Sequence, residues 1–273
     1  MKAIDFHTHV FPDKIASDTV SLLESRAHIK AINDGTLSGL KREMKNGGAD
    51  VSVILPVMTR TGQFDSVTRF AVKINESEEG LVSFGAVFPG DPDCTSRLAV
   101  LKKYGIKGIK IHPDYQNVNF DDISMMRLVD EASALGFIIS VHAGLDIGLP
   151  GPVHCTPEMA LHVIREVHPE KLVLAHTGGW KCWDEVEEKL AGRDVYFDIS
   201  FTDGYIENDR FRRIIINHGT DRILYATDSP WSGQKETMAA VKKLDLGEES
   251  EEKIFYRNAE TLLGCSIDQL KNK

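Results

Sequence analysis

Two histidines stand two residues apart near the start of the chain, directly after a short apolar run. Successive side chains of an extended strand point to opposite sides, so residues i and i+2 share a side. The segment Asp5-Phe6-His7-Thr8-His9 therefore predicts that both imidazoles can bind one metal ion, while Phe6 and Thr8 point away. Such a pair also occurs by chance on ordinary strands. It gains weight here because further metal-binding residue types follow later apolar runs.

Five more side chains that could bind a metal or take part in catalysis each follow a later apolar run. They are Lys110, His112, His142, His176 and Asp228. Neutral imidazole and carboxylate suit Zn²⁺, Mn²⁺, Fe²⁺ or Co²⁺. A catalytic zinc site typically has three protein ligands and an open position for water, whose pKa the metal lowers to about 7. Asp228 is suited to ligation and proton transfer, and His176 to holding substrate or stabilising negative charge.

The elements that must position these residues are apolar runs alternating with amphipathic segments. The predicted strands span residues 3–6, 51–57, 81–88, 106–111, 137–141, 172–175, 195–199 and 223–226. The predicted helices span residues 38–45, 66–78, 96–104, 123–135, 157–167, 183–190, 209–218, 236–244 and 249–263. Several strands are nearly all apolar, which is typical of parallel strands buried on both faces.

Eight strand–helix units predict an α/β fold, a closed (β/α)₈ or TIM barrel. The alternative is an open doubly wound sheet, but no Gly-x-Gly-x-x-Gly segment follows the first strand. Barrel active sites form at the carboxyl ends of the strands, so the barrel would gather the residues named above into one mouth. We expect residues 1–273 to form a single barrel domain with a C-terminal helix packed outside.

Composition narrows the function classes. The formal net charge of −9 argues against binding to nucleic-acid backbone, which depends on Lys and Arg. No apolar run approaches the roughly 18 residues that span a membrane, and the start of the chain has no signal-peptide pattern. The four scattered cysteines indicate free thiols in a reducing compartment. We therefore expect a cytoplasmic protein with a small-molecule substrate and no nucleic-acid or membrane partner. The sequence is also compatible with a homo-oligomer.

Five motifs carry a resemblance to a known family. They are Asp5-Phe6-His7-Thr8-His9, Gly108-Ile109-Lys110-Ile111-His112-Pro113, Val141-His142-Ala143-Gly144, Ala175-His176-Thr177-Gly178-Gly179 and Tyr225-Ala226-Thr227-Asp228-Ser229-Pro230-Trp231. Together they resemble the amidohydrolase superfamily, in the branch that includes aminocarboxymuconate-semialdehyde decarboxylase and related metal-dependent hydrolases. The resemblance covers essentially the whole chain in the expected order. It implies a barrel of the metallo-dependent hydrolase type.

The resemblance also implies a ligand set. His7, His9, His142 and Asp228 would hold one divalent ion, with Zn²⁺ the first choice and Mn²⁺, Fe²⁺ or Co²⁺ the alternatives, and His176 would act beside it. Lys110 leaves a second option open. In binuclear members such as dihydroorotase, a carboxylated lysine of the fourth strand bridges two ions, and His176 would then bind the second. An uncarboxylated Lys110 would instead bind a substrate anion.

These implications favour a metal-dependent hydrolase of a small amide, lactone or ester. Asp228 would shuttle the proton of the attacking water, and His176 would stabilise the oxyanion. We expect Lys110, His112 and Trp231 to contact the substrate. The alternatives are a non-oxidative decarboxylase of an aromatic or unsaturated acid, a phosphoesterase or nuclease, and a non-catalytic binding protein. Hydrolysis is preferred over decarboxylation because decarboxylases of the branch are usually longer and lack the strand-four lysine.

Overall fold

Eight parallel strands form the frame of the computed structural model, which describes residues 1–272. The strands are β1 Ile4–Thr8, β2 Val51–Ile54, β3 Leu81–Ser83, β4 Gly108–Ile111, β5 Ile138–Val141, β6 Leu172–Leu174, β7 Tyr196–Asp198 and β8 Ile223–Leu224. All eight predicted strands are confirmed, but most are shorter than predicted. The third, for example, ends at Ser83 rather than at residue 88.

The strands close into a barrel along two seams. Regular pairing gives one sheet of order β1-β2-β3 and another of order β4-β5-β6-β7-β8. At the β3–β4 seam, Gly85 accepts a hydrogen bond from the backbone N–H of Lys110 and donates one to Gly108, both at 2.9 Å. At the β8–β1 seam, the N–H of Phe6 donates to the carbonyl of Tyr225 at 2.9 Å. The predicted (β/α)₈ barrel is therefore confirmed.

Helices follow the strands around the outside. They are α1 Asp13–Ala27, α2 Leu37–Gly47, α3 Phe64–Ser77, α4 Cys94–Lys103, α5 Pro113–Gln116, α6 Ile123–Ala134, α7 Pro157–Val167, α8 Trp183–Glu185, α9 Asn208–His218, α10 Gln234–Lys243, α11 Glu248–Glu252, α12 Asn258–Leu263 and α13 Ile267–Lys271. Wider helical turns, Val186–Leu190 and Lys253–Arg257, continue α8 and join α11 to α12. Each predicted helix is present, whereas α1, α5 and α13 were not predicted.

Helix α1 escaped prediction because its apolar residues do not form one buried stripe. Only Ala16 and Val20 are buried. Ile15 is 51% exposed and Leu22 is 49% exposed. An amphipathic helix is normally recognised by a single apolar face turned to the core. In α1 the apolar residues are divided between the core and an open cavity, so the pattern is blurred.

The inside of the barrel is filled by apolar side chains from six of the strands and from the last two helices. Phe6 and Phe84 meet edge to face there, with ring centroids 5.9 Å apart. Leu262 and Leu270 join the same cluster, and the N–H of Gly80, just before β3, donates to the carbonyl of Leu270 at 2.9 Å. The C-terminal helices thus cover the amino-terminal end of the barrel and leave the opposite end open.

Strand β1 carries an irregularity that matters for the site. Its pairing with β2 shifts register between Asp5 and Thr8. Asp5 turns outward and accepts a hydrogen bond from Gln234 of α10 at 2.9 Å. Strict alternation predicted that Phe6 points to the side of the strand opposite His7. Instead, Phe6 lies in the interior cluster. The shift gives two successive residues access to the interior, as extra residues in irregular strands do.

Candidate metal centre

His7, His9 and Asp228 meet where β1 and β8 end. The Nε2 atoms of the two histidines are 3.1 Å apart. Oδ1 of Asp228 lies 3.4 Å from Nε2 of His7 and 3.0 Å from Nε2 of His9. Ligand atoms about 2.0–2.1 Å from a tetrahedral ion stand roughly 3.3 Å from one another. The spacing of these three residues therefore fits one divalent ion.

The outer nitrogens of both imidazoles fix which nitrogen bears a proton. Nδ1 of His9 lies 2.7 Å from the carbonyl oxygen of Leu55, and Nδ1 of His7 lies 2.9 Å from Oδ2 of Asp198. Both partners only accept, so both Nδ1 atoms donate, and in neutral rings the lone pairs are on Nε2. Burial, helped by Lys110, lowers the pKa of His7 to about 4. The site thus presents two lone pairs and a carboxylate oxygen to one point.

Asp198 is a functional residue that the sequence analysis missed. It ends β7 and is fully buried. Besides the contact with His7, its Oδ1 accepts hydrogen bonds from the backbone N–H groups of His176 and Ser200, each at 3.1 Å. Burial alone would raise the pKa of Asp198, but His7, His176 and Lys110 outweigh it and lower the pKa. The sequence feature that could have identified Asp198 is its position as the acidic residue within the apolar run 195–199.

A second pair of imidazoles lies beside the first group. Nδ1 of His176 donates to the carbonyl of Ser200 at 3.0 Å, so its Nε2 bears the lone pair in the neutral ring. That Nε2 lies 3.0 Å from Nδ1 of His142. His142 does not join the group of ligand atoms around His7. Its role as the fourth ligand of the first ion stays a prediction.

The other side of His142 faces two carboxylates. Its Nε2 is buried and forms no hydrogen bond within residues 1–272. Oδ2 of Asp146 is 3.9 Å away and Oδ2 of Asp114 is 4.0 Å away. Burial lowers the pKa of His142 well below its ordinary value, so the ring is neutral. Because Nε2 of His176 bears a lone pair, Nδ1 of His142 is the donor of the hydrogen bond between the two rings. If this proton moved to Nε2, which faces the carboxylates, Nδ1 would present a lone pair toward His176.

Lys110 lies next to the first group and is 1% exposed. Its Nζ is 3.1 Å from Nε2 of His7, and among residues 1–272 it forms no salt bridge. Burial lowers its pKa to about 8, although Asp198 and Asp228 act against that shift. A buried amine without a carboxylate partner is costly as a cation. The lowered pKa enlarges the fraction of neutral amine at physiological pH, which is the form that can be chemically modified.

The three predicted substrate-binding residues all line the cavity above these groups. They are Lys110, His112 and Trp231. The ring of His112 stacks on that of His142 with centroids 4.2 Å apart, and its Nε2 lies 3.3 Å from Oδ2 of Asp146. The backbone N–H of Trp231 donates to the backbone carbonyl of Asp228 at 2.9 Å. The cavity has a volume of about 740 Å³, within the range of small-molecule sites.

Three residues of the site have a left-handed backbone conformation. His176, Thr177 and Asp228 have φ values of 60°, 58° and 67°. Residues with a Cβ adopt this region rarely and at a cost, and such strain is found most often at functional sites. The surroundings hold it in place. Thr177 donates its N–H to the carbonyl of Asp198 at 2.7 Å, and Asp228 donates to that of His7 at 2.8 Å.

The family follows from a comparison of the sequence with family models. The model of the family described as Amidohydrolase matches residues 4–265. The chain belongs to the amidohydrolase family. This result confirms the resemblance carried by the five motifs. A search of curated proteins gives no match.

Solved structures share the fold at low sequence identity. An uncharacterised TIM-barrel protein from Bordetella bronchiseptica superposes with a TM-score of 0.76 at 15% identity, covering 97% of this chain and 99% of the other. A putative 2-pyrone-4,6-dicarboxylic acid hydrolase from Pseudomonas putida gives 0.67 at 15%, covering 96% and 97%. A dihydroxybenzoic acid decarboxylase from a Polaromonas species, with bound manganese, gives 0.70 at 15%, covering 96% and 97%.

No helix within residues 1–272 is both long enough and apolar enough to cross a membrane.

Proposed function

We propose that this amidohydrolase is a metal-dependent hydrolase of a small amide, lactone or ester. The observation that carries the proposal is the convergence of His7, His9 and Asp228, with 3.0–3.4 Å between their ligand atoms, at the base of the cavity. These residues fit a divalent ion. When bound, such an ion polarises a carbonyl group and lowers the pKa of water to about 7.

Asp228 is suited to carry the proton. Burial would raise its pKa, but His7, His9 and His176 lower it to about 2, so the group is a carboxylate at neutral pH. A carboxylate beside the reacting carbonyl can accept the proton of the attacking water and deliver it to the leaving group. Asp228 is 14% exposed, within reach of the cavity.

His176 fits ligation better than the oxyanion role expected from the sequence. Its Nδ1–H is committed to the carbonyl of Ser200. The Nε2 atom of the neutral ring then has a lone pair, and a lone pair cannot donate a hydrogen bond to an oxyanion. Nδ1 of His142 lies 3.0 Å from it. We propose that His142 and His176 hold a second divalent ion, in place of the single ion that the sequence favoured.

Lys110 would complete the binuclear site as a carbamate. The nitrogen of the neutral amine forms a bond to the carbon of CO₂ and releases one N–H proton to water. The resulting carbamate carries two carboxylate oxygens. Those oxygens would supply the negative charge that His142 and His176 lack. Carbamate formation would also replace the positively charged ammonium group of Lys110, whose Nζ lies 3.1 Å from Nε2 of His7, by an anionic group.

Counting metal ions tests this arrangement. Protein purified without chelator and supplied with bicarbonate should contain two metal ions per chain by elemental analysis. Lys110→Met keeps a similar volume but cannot form a carbamate, and it should contain one ion or fewer. Lys107→Met is the matched control, because Nζ of Lys107 donates to the carbonyl of Leu263 at the other end of the barrel. A wild-type protein that holds one ion at saturating metal would contradict the second site.

The reaction itself is tested with a substrate panel. Lactones, N-acyl compounds, esters, phosphoesters and aromatic acids would be assayed with Zn²⁺ and with Mn²⁺. We expect metal-dependent hydrolysis of at least one amide, lactone or ester, and its loss in a His7→Ala/His9→Ala variant. Hydrolysis confined to phosphoesters would favour the phosphoesterase alternative.

Decarboxylation is the second candidate. In its favour, a decarboxylase with bound manganese is among the similar structures, and the cation Arg26 lines the cavity, where it could hold a carboxylate. Asp228 would then help to protonate the carbon that loses CO₂. CO₂ release from an aromatic acid, without hydrolysis of any other compound in the panel, would decide for the decarboxylase.

A further inference from the structure

Helix α1 contributes a cation that the proposed chemistry does not use. Arg26 lines the cavity and is exposed, and its side chain has no hydrogen bond or ion pair with any other residue in the range 1–272. Lys30, four residues further along the chain, is by contrast held in an ion pair with Glu24 at 2.8 Å. An unpaired guanidinium beside a cavity is suited to bind a carboxylate through two parallel hydrogen bonds.

A tyrosine hydroxyl lies close to this end of α1. A Cβ placed on Gly148 would be 3.9 Å from Cβ of Ala27 and 3.6 Å from the hydroxyl oxygen of Tyr115. The Tyr115 hydroxyl also lacks a hydrogen-bond partner within the described chain and lines the cavity. Burial raises the pKa of this hydroxyl, so it keeps its proton and can donate. Both residues line the cavity, and the charge of Arg26 acts on the Tyr115 hydroxyl, so two donors without side-chain partners lie near one region of the cavity.

This region lies beside the metal centre without being part of it. The ring of Tyr115 packs edge to face on that of His112, with centroids 4.4 Å apart, and His112 stacks on His142. An anion bound by Arg26 and Tyr115 would therefore be separated from the proposed ions by the thickness of these rings. A single substrate could reach both places only if it had a spacer between its two polar ends.

Apolar side chains line the path that such a spacer would take. Ile15 and Leu22 of α1 border the cavity yet are half-exposed. Val57 and Phe70 border it from the segment after β2 and from α3. Large apolar side chains left open to a cavity gain free energy when an apolar ligand covers them.

We propose that the substrate is an amphipathic anion, with the scissile carbonyl at the metal centre, an apolar spacer against α1, and a terminal carboxylate held by Arg26 and Tyr115. This inference rests on the proposed hydrolase function, since it takes the metal centre as the place of cleavage. It assigns Arg26 as a specificity-determining residue that contacts the substrate far from the reacting bond.

Lys14 provides a matched control on the same helix. It is also an exposed cation that lines the cavity. It stands twelve residues before Arg26, which is about 18 Å along a helix. The two cations cannot hold the same carboxylate, so Lys14→Gln changes the charge of α1 by the same amount without touching the proposed anion site.

The test uses two hydroxamates, which bind divalent ions at one end. Octanohydroxamic acid ends in a methyl group, and the monohydroxamate of suberic acid has the same chain length but ends in a carboxylate. Calorimetry on the metal-loaded protein should show about tenfold tighter binding of the carboxylate compound, as a charge-assisted hydrogen bond provides. Lys14→Gln should keep this preference, Arg26→Gln should abolish it, and Tyr115→Phe should reduce it severalfold.

The outcomes separate this inference from the proposed function. Equal binding of both compounds to the wild type, or an unchanged preference in Arg26→Gln, would overturn the anion site and leave the metal centre intact. Binding of neither compound would count against the metal centre itself. Because Arg26 has no partner in the described chain, Arg26→Gln should unfold at the wild-type temperature, which thermal melting would verify.

Discussion

At the scale of single residues, the chemistry depends on which imidazole nitrogen is held by the protein. His7 and His9 each use Nδ1 to donate to a fixed acceptor, Asp198 and the carbonyl of Leu55. This contact selects the tautomer and turns Nε2 toward the ion, as carboxylate and carbonyl partners of metal-bound histidines commonly do. Asp198 is therefore as important for the orientation of His7 as the strand that carries it.

Replacing Asp198 should weaken metal binding. Asp198→Asn removes the negative charge, and its amide N–H₂ must face either Nδ1 of His7 or the backbone N–H groups of His176 and Ser200, so that one of these contacts is lost. Loss of a partner of this kind typically costs 10- to 100-fold in metal affinity. Competition with a chromophoric chelator would measure it, with the exposed Asp203→Asn as control. Wild-type affinity in Asp198→Asn would contradict the role.

Asp228→Asn tests the proton shuttle. The amide keeps the size of the side chain but cannot accept a proton as the carboxylate does, so we expect turnover to fall at least about 10²-fold. Part of the metal should remain, held by the histidines, and elemental analysis would confirm that. Near-normal turnover of a metal-loaded Asp228→Asn protein would exclude Asp228 as the shuttle.

At the scale of elements, the sequence predicted what depends on local periodicity. The eight strands were recognisable because each is a short, nearly continuous apolar run. Helix α1 was not, because Ile15 and Leu22 face a cavity and not the core. Nothing local to Arg26 in the sequence shows that its helix borders the site.

Helix α9 carries a histidine whose burial should make stability depend on pH. His218 stacks on Phe197 with centroids 3.7 Å apart, and its Nε2 donates to the carbonyl of Val195 at 2.8 Å. Burial lowers its pKa from 6.5 to about 4. The folded state therefore disfavours protonation, so the stabilising contribution is full above pH 6.5 and is lost as the pH falls toward 4.

The size of this effect can be measured against a variant. From pH 7.5 to pH 5, His218 alone should reduce the free energy of unfolding by about 2 kcal/mol. His218→Gln can donate to the carbonyl of Val195 and accept from the backbone N–H of Gly192, as His218 does, but it does not titrate. The free energy of unfolding of this variant should therefore fall by about 2 kcal/mol less than that of the wild type over the same pH range. Urea unfolding at both pH values would show it. Equal pH dependence of the two proteins would mean that His218 is not buried as a neutral ring.

At the scale of the whole molecule, the barrel brings together residues that are far apart in sequence. The strand order could be predicted because alternating strands and helices allow few topologies. The division of the histidines into two groups could not, because it depends on side-chain orientation. The ring of His142 is oriented toward His176 by two sets of neighbours. His112 stacks on its face, and the carboxylates of Asp114 and Asp146 lie near its Nε2.

The first metal site spans a seam of the barrel, which leads to the last prediction. His7 and His9 belong to the end of β1, whereas Asp228 follows β8, and the two sheets meet there through a few contacts such as Thr8 with Ser229. A bound ion would tie the two sheets together. At a metal concentration 1,000 times the dissociation constant, it would stabilise the fold by about 4 kcal/mol.

Removing the metal should therefore loosen this seam first. In hydrogen exchange, chelator-treated protein should lose protection in residues 4–9 and 225–229, while the pairing of β2 with β3 should change little because no residue of either proposed metal site lies in those strands. The melting temperature should fall by roughly 8–16 °C, from about 2–4 °C per kcal/mol for a chain near this size. Re-addition of Zn²⁺ should restore both. Equal loss of protection between β2 and β3 would show that the ion stabilises the barrel generally, and would contradict a specific link between β1 and β8.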